Sequence, residues 1–232
     1  MNLYLLRHGT TAWNAARRIQ GRTDIPLDPQ GEEIARLTGA ALQEQGILFR
    51  HVFSSPLSRA RRTAQLVAPG VPLRTDPRLA ELSFGTFEGQ LVEEMKNDRA
   101  CPFRFFSDDP RQYNEAMRSL ESKYPESQFE SLSSLCDRTN RFLRDVIDPL
   151  VLTEPADANI LISGHGAMNS AFMMSILGRK DLSLFWGKGL QANCGIFIIE
   201  AGLSGTGNPT YSASEECLIF YDPRKTEIPG LL

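Results

Sequence analysis

Histidine, cysteine and long apolar runs are scarce in this sequence, and each scarcity excludes a class of protein. The 232 residues include three histidines and four cysteines, and no two cysteines have the C-x-x-C spacing of zinc or redox sites. No apolar run reaches the roughly 18–20 residues that a membrane-spanning helix needs. The net charge of −3 lacks the basic excess of nucleic-acid-binding proteins. We therefore expect no metal, no membrane and no nucleic acid among the partners.

The cysteines and the first residues indicate a cytoplasmic protein. Cys101, Cys136, Cys194 and Cys217 lie far apart, and we interpret them as free, mostly buried thiols. The chain enters an apolar strand at once, without the basic segment and cleavage site of a signal peptide. A length of 232 residues, 41% of them hydrophobic, suits one well-buried domain, which we assign to residues 1–232.

Strand and helix patterns alternate along the chain. Apolar runs bounded by turn residues predict strands at residues 2–6, 51–53, 71–75, 160–162, 192–200 and 217–221. Amphipathic spacing and capping residues predict helices at residues 28–44, 55–67, 131–152 and 168–177, with Pro56 at the first position of the second helix. A glycine-rich loop from Gly202 to Asn208 is expected to join the last two strands. This alternation predicts a three-layer α/β/α sandwich with a mostly parallel central sheet.

Two of the three histidines follow apolar strands in nearly the same setting. The first strand leads into Arg7-His8-Gly9, and the strand at residues 160–162 leads through Ser-Gly into His165-Gly166. The carboxyl ends of parallel strands meet at the sheet edge where open α/β sheets bind ligands. A histidine there can attack phosphorus, and an arginine can bind a phosphate through two parallel hydrogen bonds. We therefore expect both imidazoles to lie at one anion-binding edge of the sheet.

The first of these segments, Leu6-Arg7-His8-Gly9-x-Thr11-x-Trp13-Asn14, resembles the signature of the histidine phosphatase superfamily, also called the phosphoglycerate mutase-like family. The resemblance covers about residues 3–200 and includes, in the family's order, Gly21-x-x-Asp24-x-Pro26-Leu27, Ser54-Ser55-Pro56-Leu57-x-Arg59-Ala60-x-x-Thr63-Ala64, Leu79-x-Glu81-Leu82-x-Phe84-Gly85-x-Phe87-Glu88-Gly89, Glu130-Ser131 and Ser163-Gly164-His165-Gly166. Each block alone is modestly specific, whereas the ordered set is strongly so.

The resemblance implies a role for each of five site residues. His8 is interpreted as the nucleophile, since a neutral imidazole can take the phosphoryl group and split one displacement into two. Arg7, Arg59 and His165 are expected to stabilise charge on the phosphoryl oxygens. Glu81 is the expected general acid and base, although a glutamate at such a place could instead pair with an arginine.

A second group of residues is expected to complete the phosphate and substrate site. It consists of Gly9, Asn14, Thr23 and Gly166, together with the arginines already named. No cofactor is expected.

Three further features have a more ordinary interpretation. Glu88 is predicted to be structural, in contact with the backbone or a basic residue, and His51 has no motif around it and is predicted to be a surface or edge residue. Arg61 and Arg62 are expected on a solvated helix face. Many relatives carry an arginine shortly after the second His-Gly, and residues 167–171 here contain none, which bears on substrate identity.

Three functions stay open from the sequence. The stretch Phe84-Gly85-x-Phe87 resembles the broad-specificity phosphatase branch, whereas true mutases of the family usually have His-Tyr-Gly in that block. We therefore favour a phosphomonoester hydrolase that acts on a small phosphorylated metabolite. A cofactor-dependent phosphoglycerate mutase is the alternative, and a non-catalytic phosphate-binding module is a third. The protein is expected to be a monomer or a homodimer.

Residues 90–128 fit the alternation least well. They are polar, they contain the run Phe103-Arg104-Phe105-Phe106, and a charged segment that is predicted to be helical extends to Tyr124. An ordinary insertion between core elements is the interpretation we favour. The alternative, which the resemblance supports, is a lid over the phosphate pocket. The aromatic run could pack beneath such a lid or contact a substrate.

Overall fold

A six-stranded sheet forms the centre of the molecule in the computed structural model, which describes residues 1–220. Its strands are β1 (Asn2–Arg7), β2 (His51–Ser54), β3 (Leu73–Thr75), β4 (Asn159–Gly164), β5 (Ile196–Leu203) and β6 (Pro209–Ala213). Their order is β3-β2-β4-β1-β5-β6; the first four are parallel, and β5 and β6 are each antiparallel to their neighbours. The prediction of a mostly parallel sheet is confirmed.

Helices cover both faces of this sheet. They are α1 (Ala12–Ala15), α2 (Pro29–Glu44), α3 (Ser58–Val67), α4 (Val92–Asn97), α5 (Pro110–Lys123), α6 (Leu132–Phe142), α7 (Asp148–Thr153) and α8 (Gly166–Ile176). Side chains alternate along β1, so that Leu3 and Leu5 pack with α6 and α8, while Tyr4 and Leu6 pack with α2 and α3. Full burial of each such leucine stabilises the fold by about 1.5–3 kcal/mol. The three-layer prediction is confirmed.

The helix signals in the sequence place most helix ends correctly. Asp28 caps α2 by accepting the N–H of Gly31 at 2.6 Å, and Gly46 follows the helix with a φ of +76°. The prediction for Pro56 was wrong, because α3 begins at Ser58 and Pro56 lies before the capping residue. The predicted helix at residues 131–152 is two α-helices joined by a π-helical segment, Leu143–Ile147. Pro149, which cannot donate a backbone hydrogen bond, follows that segment.

The prediction of the closing strands was partly wrong. The last strand within residues 1–220 is β6, and the turn that precedes it is shorter than the predicted loop, because Gly202 belongs to β5. The apolar run after Cys217 contributes one isolated bridge, between Leu218 and Ile196. The position Tyr221 of the predicted strand lies outside the described residues. Strand β6 was missed because it is half exposed and is not an apolar run.

Residues 90–128 form an insertion whose buried side chains join the core beside α6 and which contacts the loop after α8. This insertion contains α4, α5 and two 3₁₀ turns, Pro102–Phe105 and Pro125–Ser127. The indole N–H of Trp186 donates to the carbonyl of Phe106 at 2.6 Å, and Arg111 of α5 pairs with Asp181. Within residues 1–220, helices of the length and apolarity needed to cross a membrane are absent.

Candidate active site

The carboxyl ends of β1 and β4 bring the two His-Gly turns together. These strands are adjacent and parallel, with Arg7 opposite Gly164 in register, and the backbone N–H of His8 donates to the Gly164 carbonyl at 3.1 Å. The imidazole rings of His8 and His165 consequently lie with their centroids 5.1 Å apart. Both side chains are buried. The sequence symmetry therefore becomes a pair of neighbouring imidazoles at one edge of the sheet.

His8 is held in the neutral form with one ring nitrogen free. Its Nδ1 lies 2.6 Å from the carbonyl oxygen of Gly9, so this nitrogen carries the proton and donates it. Burial, followed by the charges of Arg59 and Arg7, holds the pKa of His8 well below its usual range. The lone pair on Nε2 is therefore available at neutral pH, as a nucleophile requires.

Gly9 is required here for close packing and not for binding. A Cβ at this residue would lie 2.5 Å from the carbonyl oxygen of Gly31 in α2. The N–H of Gly9 donates to the hydroxyl of Thr63 at 3.0 Å, so it is already used within the protein. The expectation that this N–H binds phosphate disagrees with that geometry. The glycine instead allows the turn at residues 8–9 to approach the first turn of α2.

Arg59 projects from the first turn of α3 and is fully buried. Its Nη1 donates to the carbonyl of Thr23 at 3.0 Å and its Nη2 to that of Gly21 at 2.6 Å. Burial lowers the pKa of Arg59 to about 10, so the guanidinium stays charged at neutral pH. Thr23 was expected to bind substrate, but its N–H and hydroxyl donate to Glu88. Thr23 therefore acts on Arg59 through its carbonyl.

Glu88 has the structural role that was expected of it. Its carboxylate accepts the backbone N–H groups of Arg22, Thr23 and Phe84 at 2.9, 2.7 and 3.1 Å. These bonds fix the loop whose carbonyls hold Arg59. His51 likewise lies away from the site, where it contacts Glu154 at 2.8 Å.

Arg7 is positioned by a residue that sequence reasoning missed. Its Nη1 donates to the carbonyl of Gln191, and the side-chain amide of Gln191 in turn donates to the carbonyls of Leu5 and Gly195 at 2.9 and 2.8 Å. Asn193 similarly donates to the His8 carbonyl at 2.9 Å. No motif surrounds these two residues, and Gln191 follows Arg7 by 184 residues. The sequence carries no signal that would have identified them.

Glu81 lies at the N-terminus of α8, the helix that His165 caps. Its Oε1 accepts the N–H groups of Leu82 at 2.8 Å and Met168 at 3.0 Å, and its Oε2 accepts that of Ala167 at 3.3 Å. Burial raises the pKa of Glu81 despite these hydrogen bonds and the nearby arginine charges. A carboxyl group with a raised pKa can hold a proton for donation.

The backbone of Glu81 is held by Arg138, which is itself paired with Glu130. This contact was not predicted from the sequence. Arg138 of α6 donates to the carbonyl of Glu81 at 3.0 Å and to that of Ala80 at 2.7 Å. Its guanidinium also pairs with Glu130 at 2.7 Å. Glu130 belongs to one of the sequence motifs, but its partner Arg138 lies outside that motif, in the following helix α6.

A cleft of about 410 Å³ opens beside these groups. Four of the predicted site residues line it: Arg7, Asn14, Glu81 and Gly166. His8, Arg59 and His165 are buried next to these. The charges of Arg7 and Arg59 lower the pKa of both histidines. The other lining residues are Arg17, Arg18, Ile19, Gln20, Phe84, Val92, Phe103, Phe106, Ala167, Trp186, Leu190 and Asn193. The structure therefore brings seven of the nine predicted site residues together, whereas Gly9 and Thr23 serve as supports.

Several buried polar atoms at this place have no hydrogen-bond partner within residues 1–220. They are Nε of Arg7, Nε of Arg59, Nε2 of Gln20, both ring nitrogens of His165 and Oδ1 of Asn14. An unpaired buried donor or acceptor costs about 1–3 kcal/mol, and such groups therefore indicate a function. Two guanidinium groups and an imidazole are suited to the oxygens of a phosphate. No cluster of three or more histidine, cysteine, aspartate or glutamate side chains suitable for a metal ion occurs in the same described residues.

This sheet order, with paired histidines at its carboxyl edge, is the phosphoglycerate mutase-like fold. The chain belongs to the histidine phosphatase superfamily (branch 1), whose family model matches residues 3–207. A probable phosphoglycerate mutase GpmB of Serratia proteamaculans is 36% identical over 182 residues, which are 77% of this chain and 75% of that protein. The GpmB of Escherichia coli K12/DH10B is 35% identical over 184 residues, with the same shares.

Solved structures also resemble this chain, and one of them is a named phosphatase. Phosphoserine phosphatase from Entamoeba histolytica, in complex with 3-phosphoglyceric acid, is 26% identical with a TM-score of 0.66, over 93% of this chain and 97% of that one. Bacillus stearothermophilus YhfR is 25% identical with a TM-score of 0.75, over 94% and 98%. The superfamily thus contains both mutases and phosphatases among the relatives of this chain.

Proposed function

We propose that this enzyme is a phosphomonoester hydrolase that acts through a phosphohistidine on a small phosphorylated metabolite. The observation that carries the proposal is the geometry of His8, whose Nδ1–H donates to the Gly9 carbonyl at 2.6 Å and so leaves the Nε2 lone pair free. Burial beside Arg59 and Arg7 lowers the pKa of this imidazole, which favours its neutral form. In the first step Nε2 forms a bond to phosphorus while the ester P–O bond breaks. Glu81 gives its proton to the departing alcohol oxygen.

The second step reverses these roles. Water attacks phosphorus, Glu81 takes the proton of that water, and the N–P bond breaks to release phosphate. Arg7, Arg59 and His165 offer donors to the three non-bridging oxygens in both steps, because each has a buried N–H or ring nitrogen without a partner. Oε2 of Glu81 is the oxygen we assign to the proton, since its one hydrogen bond is the longer, at 3.3 Å.

The walls of the cleft favour hydrolysis over mutase activity. A mutase must also hold the carboxylate of its phosphoglycerate, and the insertion supplies only Val92, Phe103 and Phe106 to the cleft. The other cations there, Arg17 and Arg18, are exposed. An exposed pair with a carboxylate is worth only about 0–1 kcal/mol. The mutase stays the second candidate because the GpmB relatives carry that name.

Two arms of one experiment separate these candidates. The purified enzyme is incubated with 4-nitrophenyl phosphate, and separately with 3-phosphoglycerate with and without 2,3-bisphosphoglycerate. We expect release of inorganic phosphate and no 2-phosphoglycerate. Formation of 2-phosphoglycerate faster than phosphate release would replace the hydrolase proposal by the mutase.

The covalent intermediate is tested by trapping. Denaturation in alkali during turnover should preserve a phosphoryl label on the protein that acid removes, as is typical of phosphohistidine. The label should be absent in His8→Asn and present in His51→Asn, which is a matched control because His51 lies outside the site. A label that survives in His8→Asn would exclude His8 as the nucleophile.

We also propose that the reaction needs no metal and takes place in the cytoplasm. The cationic side chains beside the two histidines would repel a divalent ion, and Cys101, Cys136, Cys194 and Cys217 are free thiols. Activity should therefore survive a strong chelator. Loss on chelation that magnesium or zinc restores would favour metal-assisted hydrolysis.

A further inference from the structure

Aromatic rings form one side of the cleft. Phe84, Phe103, Phe106 and Trp186 all line it, and Phe106 contacts the other three with ring centroids 5.3, 5.0 and 4.8 Å apart. Phe84 and Phe103 are buried, whereas Phe106 and Trp186 keep part of their surface open. These two rings therefore present an apolar face to the cleft.

Leu190 adds a second apolar surface above the phosphate end. It is 56% exposed although it lines a cleft, and a Cβ on Gly166 would lie 2.7 Å from its Cδ1 atom. Gly166 is the first residue of α8, whose next two N–H groups hold Glu81. An alcohol that leaves toward Glu81 would thus depart next to Leu190.

Contacts between distant segments hold the rings in place before any ligand binds. The Trp186 indole donates to the Phe106 carbonyl at 2.6 Å, and the stacking of Phe103 on Phe106 adds to this bond. A preformed apolar surface costs little ordering entropy when a flat ligand binds to it. The cleft volume of about 410 Å³ lies in the usual range for small ligands, roughly 300–1,000 Å³.

The polar residues of the cleft mouth do not favour a charged alcohol. Arg18 donates to the carbonyl of Gly89 at 2.6 Å, and Arg17 is exposed. Arg104, the only cation in the aromatic run, has its guanidinium carbon 4.2 Å from the centre of the Phe105 ring and does not line the cleft. The apolar surface for the alcohol is therefore supplied by the rings and Leu190, and Gln20, whose Nε2 has no partner within residues 1–220, adds a neutral donor.

We propose that the substrates of this enzyme are phosphomonoesters whose alcohol carries an aromatic ring, which packs against Phe106 and Trp186 beneath Leu190. This inference rests on the proposed hydrolase function and names the class of substrate for it. The aromatic ring makes offset or edge contacts with two protein rings while the phosphate meets the arginines. The reaction itself is the hydrolysis already written.

The test compares 2-phenylethyl phosphate with ethyl phosphate. Both release primary alcohols, so the two substrates differ mainly in the ring and little in the leaving group. We expect kcat/KM for the phenylethyl ester to be greater by roughly ten- to a hundredfold, as burial of one ring implies. As a binding readout without chemistry, 2-phenylethylphosphonate should inhibit more strongly than ethylphosphonate by a similar factor.

Leu190→Asn should reduce this preference several-fold, and the exposure of the residue makes a folding defect improbable as the cause. Leu184→Asn is the matched control: Leu184 lies in the same loop, is 47% exposed and does not line the cleft. The preference should stay the same in Leu184→Asn. Phe106→Leu, which keeps an apolar side chain, should also lower the preference for 2-phenylethyl phosphate over ethyl phosphate.

The outcomes separate this inference from the proposed function. Equal kcat/KM for the two esters, with measurable hydrolysis of both, would overturn the aromatic substrate class and leave the hydrolase intact. Faster hydrolysis of 3-phosphoglycerate than of the phenylethyl ester would also overturn it. Absence of hydrolysis with every ester, including 4-nitrophenyl phosphate, would instead contradict the hydrolase.

Discussion

The two sides of the cleft are held by different forces. The floor, where we place the chemistry, consists of Arg7, His8, Arg59, Glu81 and His165. Hydrogen bonds to the backbone fix the first four of these side chains, whereas the ring nitrogens of His165 have no partner within residues 1–220. The aromatic wall, which consists of Phe84, Phe103, Phe106, Trp186 and Leu190, is fixed by ring contacts, one indole hydrogen bond and an exposed ion pair nearby.

This difference separates chemistry from selectivity. Backbone hydrogen bonds fix the direction of a charged group to within a narrow range, as transition-state stabilisation requires. Ring contacts tolerate exchange of one apolar residue for another, so the wall can change while the floor is preserved. Substitutions in the floor should therefore affect every substrate, whereas substitutions in the wall should affect substrates unequally.

The largest effect is expected from His8→Ala. The nucleophile that we propose has no replacement, because the other histidine at the site, His165, has its ring centroid 5.1 Å from that of His8. We expect kcat to fall by roughly 10³–10⁶-fold for alkyl and aryl esters alike. Steady-state kinetics on 4-nitrophenyl and ethyl phosphate test this. A loss confined to one of the two substrates would contradict a nucleophilic role.

Glu81→Gln should have the next largest effect, and its size should depend on the leaving group. Removal of a general acid costs roughly 10²–10⁴-fold when the departing alcohol needs a proton. Nitrophenolate departs without one, so the loss in kcat/KM, which reports the first step, should be clearly smaller for 4-nitrophenyl phosphate than for ethyl phosphate. Equal losses in kcat/KM on both would indicate that Glu81 only supports the N-terminus of α8.

The pH profile of kcat for ethyl phosphate gives a related prediction with a definite sign. The pKa of Glu81 is raised, so this carboxyl group keeps its proton to a higher pH than an ordinary glutamate does. Because the first step needs that proton, kcat should fall as the pH rises through the raised pKa. The pKa of His8 is lowered, so the nucleophile stays neutral and kcat should persist below pH 6.5, the usual histidine value. In Glu81→Gln the decline at high pH should disappear.

The contrast between floor and wall also explains what the sequence could predict. His8 and His165 could be placed because each directly follows a strand, and parallel strands end at one edge. Gln191 and Arg138 could not, since their bonds to Arg7 and Glu81 join segments 184 and 57 residues apart. The wall depends on the contact between Trp186 and Phe106, which are 80 residues apart in the sequence. Ring packing of this kind has no periodic pattern in the sequence and could not be predicted from it.

A change in the wall should have an intermediate effect that depends on the substrate. Phe106→Leu removes a ring that contacts three others and keeps an apolar side chain in its place. We expect the phenylethyl-to-ethyl ratio of kcat/KM to fall by roughly three- to tenfold, because the substrate ring would lose its contact with one aromatic ring of the protein. Equal losses on both esters would mean that the substitution had disturbed the floor.

The smallest effect is expected from Arg111→Gln, which removes the ion pair with Asp181 that joins α5 to the loop after α8. Both side chains are exposed, 61% and 43%, so water and salt screen their attraction. Trp186 and Phe106 would keep the same two segments together without it. The melting temperature and the phenylethyl preference should therefore change no more than in Arg36→Gln, a control that removes the two pairs of Arg36 with Glu32 and Glu33 on the surface of α2. The contrary result has two parts: a large loss of the phenylethyl preference in Arg111→Gln but not in Arg36→Gln, and loss of that preference in the wild type at high salt. Together they would show that charge and not ring packing holds the wall.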